Sequence, residues 1–151
     1  VVQSLSRIAE DLVRAGRGES LLWEGVSLWT NFQPIYSVQR AGCFGYEALI
    51  RAADGNGTPI RPERLFSTVG ADGNANLLDW ICRALHMRNF ATLDPGNRTL
   101  FLNIHPESAV RDSDCAGDFG DLIRYYGLVP KRVCVEILES SCADEGLLRE
   151  A

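Results

Sequence analysis

Two short apolar runs, "RTLFLNIHP" at 98–106 and "KRVCVEILES" at 131–140, flank a single helical pattern, "GDFGDLIRYYGL" at 117–128. Each run reads as a buried strand, the first ended by Pro106. In the helix between them Phe119, Leu122, Ile123 and Tyr126 fall on the inward side, and Gly127 stops it. Strands alternating with helices in this way build parallel βαβ units, which restricts the chain to an α/β architecture.

The upstream half fits the same plan. "NFQPIYSVQRAGCFGYEALIR" at 31–51 reads as two extended segments around the turn-like "QRAG". Pro34 disfavours a helix interior, and Phe32, Ile35, Tyr36 and Val38 suit a strand. The second segment is ambiguous in isolation. Glu, Ala, Leu and Arg are good helix formers, and Glu47 precedes Arg51 by four residues, the favourable order for a helical ion pair. The hairpin context decides for a strand. "ADGNGTPIRP" at 53–62 is a loop, and "PERLFSTVG" at 62–70 a turn or two of helix with Pro62 near its start. Asn74 caps a longer helix that buries Leu77, Leu78, Ile81, Ala84 and Leu85 and ends before the turn "DPGN" at 94–97. "ADEGLLREA" at 143–151 starts a further helix.

At the N-terminus, Val1, Leu5, Ile8 and Leu12 form one helical stripe ended by Gly16 and Gly18. It suits either a coiled coil or packing on its own domain. A second short helix is expected from about Leu21 to Trp29. The predicted order is therefore helix, β, β, α, β, α, β and the start of another helix. Residues 1–19 are taken as an N-terminal helix or linker and 20–151 as the domain proper.

Composition excludes several classes of function. The net charge of −5 leaves no basic footprint for DNA. No apolar run approaches the roughly 20 residues of a membrane span, and the first 16 residues lack the basic-then-apolar pattern of a signal peptide. The five cysteines, Cys43, Cys82, Cys115, Cys134 and Cys142, are odd in number and never spaced as CxxC. That points to buried reduced thiols in a cytosolic protein rather than to disulfides or a zinc knuckle.

Three polar residues interrupt the apolar strands: Glu47, Asn103 and Glu136. Each is expected near the C-terminal end of its strand, the end that carries the site in a βα barrel. A buried carboxylate is costly without a cation or donors, and Glu, Asn and Glu supply hard oxygens suited to Mg²⁺, Mn²⁺ or Ca²⁺ rather than zinc. The two-residue period of a strand puts Glu47, Leu49 and Arg51 on one face, and the planar fork of Arg51 suits a phosphate. His86 and His105 are read as ordinary placements, not as metal ligands.

The succession "FQPIYSV", "GYEALIR", "LFLNIHP", "VCVEILES" resembles the first half of an EAL domain, from roughly Phe32 to the end of the chain. EAL domains are bacterial phosphodiesterases of the second messenger cyclic di-GMP. The resemblance implies the N-terminal half of a modified TIM (β/α)8 barrel with an antiparallel first strand. It implies Mg²⁺- or Mn²⁺-dependent opening of cyclic di-GMP to linear pGpG in the bacterial cytoplasm. Glu47, Asn103 and Glu136 become metal ligands, and Glu47, Glu136 and Glu139 the catalytic carboxylates, Glu139 bracing the loop that follows the next strand and so orienting the site indirectly. Leu49 touches a guanine, Arg51 holds a phosphate and Gln33 lies beside the ligand. Leu138 departs from the Thr that usually precedes the last of these glutamates.

The family's second half, with an Asp pair, a catalytic Lys, a Glu and a Gln, is expected beyond Ala151. The chain is accordingly read as a fragment, or as one of two copies that complete each other, attached to a sensor or GGDEF-type domain. The competing reading is a catalytically inactive EAL-like domain that serves as a cyclic di-GMP receptor or protein-interaction module.

Overall fold

The computed structural model describes residues 7–9, 11, 13, 19–39, 41–68, 75–93, 96–105 and 116–137. Its strands are β1 (Ser20–Trp23), β2 (Val26–Ser37), β3 (Gly42–Ala53), β4 (Pro59–Ile60), β5 (Thr99–Ile104) and β6 (Val133–Ile137). Its helices are α1 (Pro62–Thr68), α2 (Ala75–Leu93) and α3 (Ala116–Tyr125), with a 3₁₀ turn at Pro130–Arg132. The strands form one six-stranded sheet in the order β1-β2-β3-β5-β6, with β4 paired to β3. β1/β2, β2/β3 and β3/β4 are antiparallel; β3/β5 and β5/β6 are parallel. The antiparallel entry and the parallel βαβ continuation agree with the expected half-barrel, and "GYEALIR" is a strand.

One expected helix is absent. Residues 21–29 form the β1/β2 hairpin, with Leu21 opposite Leu28 and Trp23 opposite Val26. Glu24 (φ 50°) and Gly25 (φ 76°) both have positive φ, the conformation a two-residue hairpin turn requires. Leu21, Trp23, Val26 and Leu28 are all buried, so the apolar period here is two, interrupted by the turn. β4 was also not foreseen; its two residues pair with Ala52 and Ala53 at the end of β3.

The helices cover one face of the sheet. Leu28, Ala48, Ala52, Leu100 and Leu102 point into a core shared with Leu65, Leu78, Ile81, Leu85, Phe90, Leu122 and Ile123. The expected stripe on α2 is too narrow. Every residue from Leu78 to Met87 is buried, including Asp79, Arg83 and His86. The helix is enclosed because partners reach it from several sides. Thr30 on β2 meets His86, Phe119 on α3 packs its ring on Trp80, and Arg88 donates to the Val13 carbonyl at 2.6 Å. The N-terminal stripe is displaced as well: Ala9 and Val13 are fully buried in the same core, whereas Ile8 is half-buried. Val1, Leu5 and Leu12 lie outside the described residues, as do Asn74, Cys115, Glu139 and Cys142. Cys82 is buried, and Cys43 and Cys134 are half-buried; all three are free thiols. Among the described residues no helix is long and apolar enough to cross a membrane.

His86 holds β2 to α2 through a polar network inside this core. Its Nδ1 lies 2.7 Å from Thr30 Oγ1, and Asn89 Nδ2 donates to Thr30 Oγ1 at 3.3 Å and to the Glu19 carbonyl at 2.8 Å. A neutral imidazole accepting from the Thr30 hydroxyl satisfies each group. Burial pushes the imidazole pKa down from 6.5 to about 3. The unfolded chain therefore takes up a proton that the native state refuses, and this stability, whole above the ordinary histidine pKa, drains away as pH falls toward the native value. Between about pH 7 and about pH 5 we expect a loss of about 2 kcal/mol from this group, read as a lower urea midpoint. His86→Gln should flatten that part of the profile; an unchanged profile would show that the ring titrates alike in the folded and the unfolded chain.

Candidate active site

The site lies on the sheet face opposite the helices. Because successive strand residues alternate faces, burial of Tyr46, Ala48, Ile50 and Ala52 against the helix core turns Glu47, Leu49 and Arg51 the other way. On β5 the buried Leu100, Leu102 and Ile104 leave Phe101 and Asn103 on that same side. On β6 Cys134 and Glu136 follow, in register with Phe101 and Asn103. On β2 Gln33, Asn31 and Trp29 stand opposite Glu47, Leu49 and Arg51.

The core packing positions this row from behind. Phe32, Tyr46 and Phe90 form a ring cluster, with centroids 6.3 Å apart for Phe32–Tyr46, 5.8 Å for Phe32–Phe90 and 6.4 Å for Tyr46–Phe90. Phe32 and Tyr46 neighbour Gln33 and Glu47 in sequence, so seating the rings on α2 fixes the backbone that carries the two polar side chains. Gly45 serves the same purpose at the β3/β5 seam. A Cβ there would lie 2.4 Å from the Thr99 carbonyl oxygen and 2.9 Å from Phe101 Cε2, so a side chain would push the strands apart beside the site.

Asn103 Nδ2 donates to Glu47 Oε1 at 2.7 Å, across 56 residues of sequence. This contact orients the carboxylate and leaves the amide oxygen of Asn103 as its acceptor. Glu47 is half-buried and has no cationic partner among the described residues. A half-buried anion held by one neutral donor is under-compensated, which favours a cation beside it. Glu136, opposite Asn103 in register, is exposed. Arg51 is half-buried and uses one guanidinium N–H, from Nη1 to the Ile50 carbonyl at 2.9 Å, so most of its donor fork is uncommitted among the described residues.

Among the described residues no group of three His, Cys, Asp or Glu side chains gathers. The available donor set is two carboxylates and an amide oxygen, which fits a hard divalent cation and does not fit zinc. His86, satisfied inside the core, belongs to no such set, and His105 follows β5 half-buried.

The structure thus puts Glu47 and Asn103 in contact, Glu136 one strand away from Asn103, and Leu49, Arg51 and Gln33 on the same face. One expectation needs correction. Glu47 lies in the middle of β3 and not at its end, because β2 and β4 prolong that strand to Ala53. The parallel ladder with β5 covers only Gly45 to Ala48, and within it Glu47 is near the C-terminal end. The sequence reading also passed over Trp29, Asn31, Phe101 and Cys134, which share the face. The two-residue period that grouped Glu47 with Arg51 would have found them if applied to "SLWTNFQ" and the later strands.

A sheet with an antiparallel entry and parallel βαβ continuation, and hard-oxygen side chains on the face opposite the helices, defines part of a TIM-barrel-like α/β domain. The chain belongs to the EAL domain family, whose model matches residues 21–150. Among solved structures it is similar to BlrP1 of Klebsiella pneumoniae in a calcium and cyclic diGMP complex, at TM-score 0.63 and 25% identity over 75% of this chain and 27% of that one. The PaMucR phosphodiesterase in complex with c-di-GMP matches at TM-score 0.60 and 19% identity, over 80% and 50% of the two chains. The FimX EAL domain from Pseudomonas aeruginosa, bound to c-di-GMP, matches at TM-score 0.60 and 20% identity, over 73% and 44%. The chain spans about a quarter to a half of the length of these structures. A comparison with curated proteins finds no match.

Proposed function

We propose that this chain supplies the first part of an active site that hydrolyses cyclic di-GMP to linear pGpG with a divalent metal, Mg²⁺ or Mn²⁺. The observation that carries the reading is the under-compensated Glu47 carboxylate held by Asn103, with Arg51 two positions along the same strand face. Glu47 and Glu136, with the Asn103 amide oxygen, would hold the metal. When bound, such an ion neutralises charge developing on a phosphodiester and acidifies water.

The other residues bind and orient. The uncommitted fork of Arg51 grips a phosphate oxygen, which aligns the ester and stabilises its extra negative charge during attack. Leu49 offers an apolar surface to a guanine, and Gln33, opposite Glu47 in register, offers an amide to the ligand. Hydrolysis breaks one P–O ester bond; water supplies a hydroxyl to phosphorus and a proton to the leaving sugar oxygen. Glu139, outside the described residues, is assigned to bracing the loop that follows the strand after β6. The same reading makes the protein a bacterial cytoplasmic signalling component, joined to a sensor or GGDEF-type domain.

The test is conversion of cyclic di-GMP to pGpG by the complete protein in Mn²⁺ or Mg²⁺, followed by chelator. We expect turnover to stop on chelation and return when metal is restored. Binding without turnover at any metal concentration would replace hydrolysis by the receptor reading.

A further inference from the structure

On the inward row of β2, Trp29 stands directly opposite Arg51 and has no role in the reading above. Its neighbours Leu28 and Thr30 face the helices, one in the core and the other bonded to His86, so the indole projects from the site face. It is half-buried, packs on no part of the helix-side core, and makes no ring or cation–π contact among the described residues. The chain's other tryptophans, Trp23 and Trp80, are 7% and 4% exposed. Trp29 is therefore the tryptophan on the ligand side of the sheet.

We propose that Trp29 is a further ligand-contacting residue, a platform on which one purine base of a cyclic dinucleotide stacks while Arg51 holds the adjoining phosphate. The inference rests on the functional reading above and adds the element that selects a nucleobase. Residues opposite each other on paired strands lie about 5 Å apart, so one strand step separates an aromatic face from a guanidinium. A nucleotide presents the matching pair, a flat π-surface and an anion a short span away. Leu49, opposite the next inward residue of β2, borders the same space with an apolar surface. Stacking on an aromatic ring tolerates any base, so Trp29 supplies affinity for purines, and hydrogen bonding from neighbours such as Asn31 and Gln33 supplies discrimination.

The experiment titrates cyclic di-GMP into the full chain and into its Trp29→Leu and Trp29→Phe forms, following binding heat and tryptophan emission. The wild type is expected to bind with a change in emission. Trp29→Leu, which keeps an apolar side chain but no π-face, should bind roughly tenfold more weakly. Its melting temperature should stay close to wild type, and in the complete protein the weaker binding should read as a higher KM. Trp29→Phe should retain most of the affinity and lose the emission change. Equal affinity in wild type and Trp29→Leu, or an emission change that survives in Trp29→Phe, overturns the assignment. If the leucine variant does not fold, the phenylalanine form still decides through its emission. A wild type that binds no cyclic di-GMP overturns the functional reading and this inference with it; binding that ignores Trp29 overturns the inference alone.

Discussion

Glu47→Ala is expected to lower hydrolysis of cyclic di-GMP by the complete protein about a thousandfold or more, while the melting temperature in metal-free buffer holds steady or rises. The first part follows from the chemistry of the site. In the proposed reading Glu47 holds the metal, so its loss removes several kcal/mol of charge stabilisation from the transition state, and each 1.4 kcal/mol or so is a factor of ten in rate. The second part follows from the present geometry. Glu47 is half-buried and receives one neutral hydrogen bond, from Asn103. In the absence of a cation its desolvation is incompletely offset, so its removal costs the fold little. Functional residues commonly carry such a trade-off. A structural role for Glu47 predicts the opposite pair, a falling melting temperature with retained turnover. Parallel thermal melts and product chromatography on the two proteins distinguish these outcomes, and turnover within tenfold of wild type would remove Glu47 from the mechanism.

Asp79→Ala is expected to be the most damaging single change to stability, at about 3–5 kcal/mol, or a fall of about 10 °C in melting temperature. Asp79 and Arg83 form an ion pair one helical turn apart on α2, with side chains 5% and 2% exposed. Arg83 also lies over the rings of Trp80 and Phe119, at 4.7 Å and 5.4 Å from their centroids, so its cation joins α2 to α3. Removing the carboxylate takes from that buried cation its ion-pair partner one turn along the helix. The double change Asp79→Leu with Arg83→Met should recover most of the loss, since it removes both charges and keeps apolar volume. Urea denaturation of the three variants measures the effect. A loss below about 1 kcal/mol for Asp79→Ala would show that Arg83 is compensated elsewhere.

The parts of the fold legible in the sequence are those governed by local pattern. Apolar runs bounded by Pro106 and by turns announced β5 and β6, and Pro62 and Gly127 marked helix ends where helices begin and stop. The missed hairpin shows the limit of that reading. "LLWEGVSLW" carries a two-residue apolar period in each arm, but the intervening Glu24-Gly25 shifts the phase and makes the whole resemble a helical stripe. α2 fails differently. Its sequence holds Asp79, Arg83, His86 and Asn89 at positions an amphipathic helix would expose, yet all are buried. Their partners come from Thr30, Glu19 and Phe119, or from one turn along the helix, and most of these are far away in sequence.

By itself the sequence determined the alternation of strands and helices, the two-residue phase that gathers Glu47, Leu49 and Arg51 on one side, and the type of oxygen donors on offer. These depend on neighbours a few residues apart, where the geometry of strand and helix leaves few choices. Tertiary structure alone decided that Asn103 reaches Glu47 and that Trp29 stands opposite Arg51. Each of those depends on strand register and on which face the helices bury. Both arise when segments distant in sequence pack together, and no local preference encodes them.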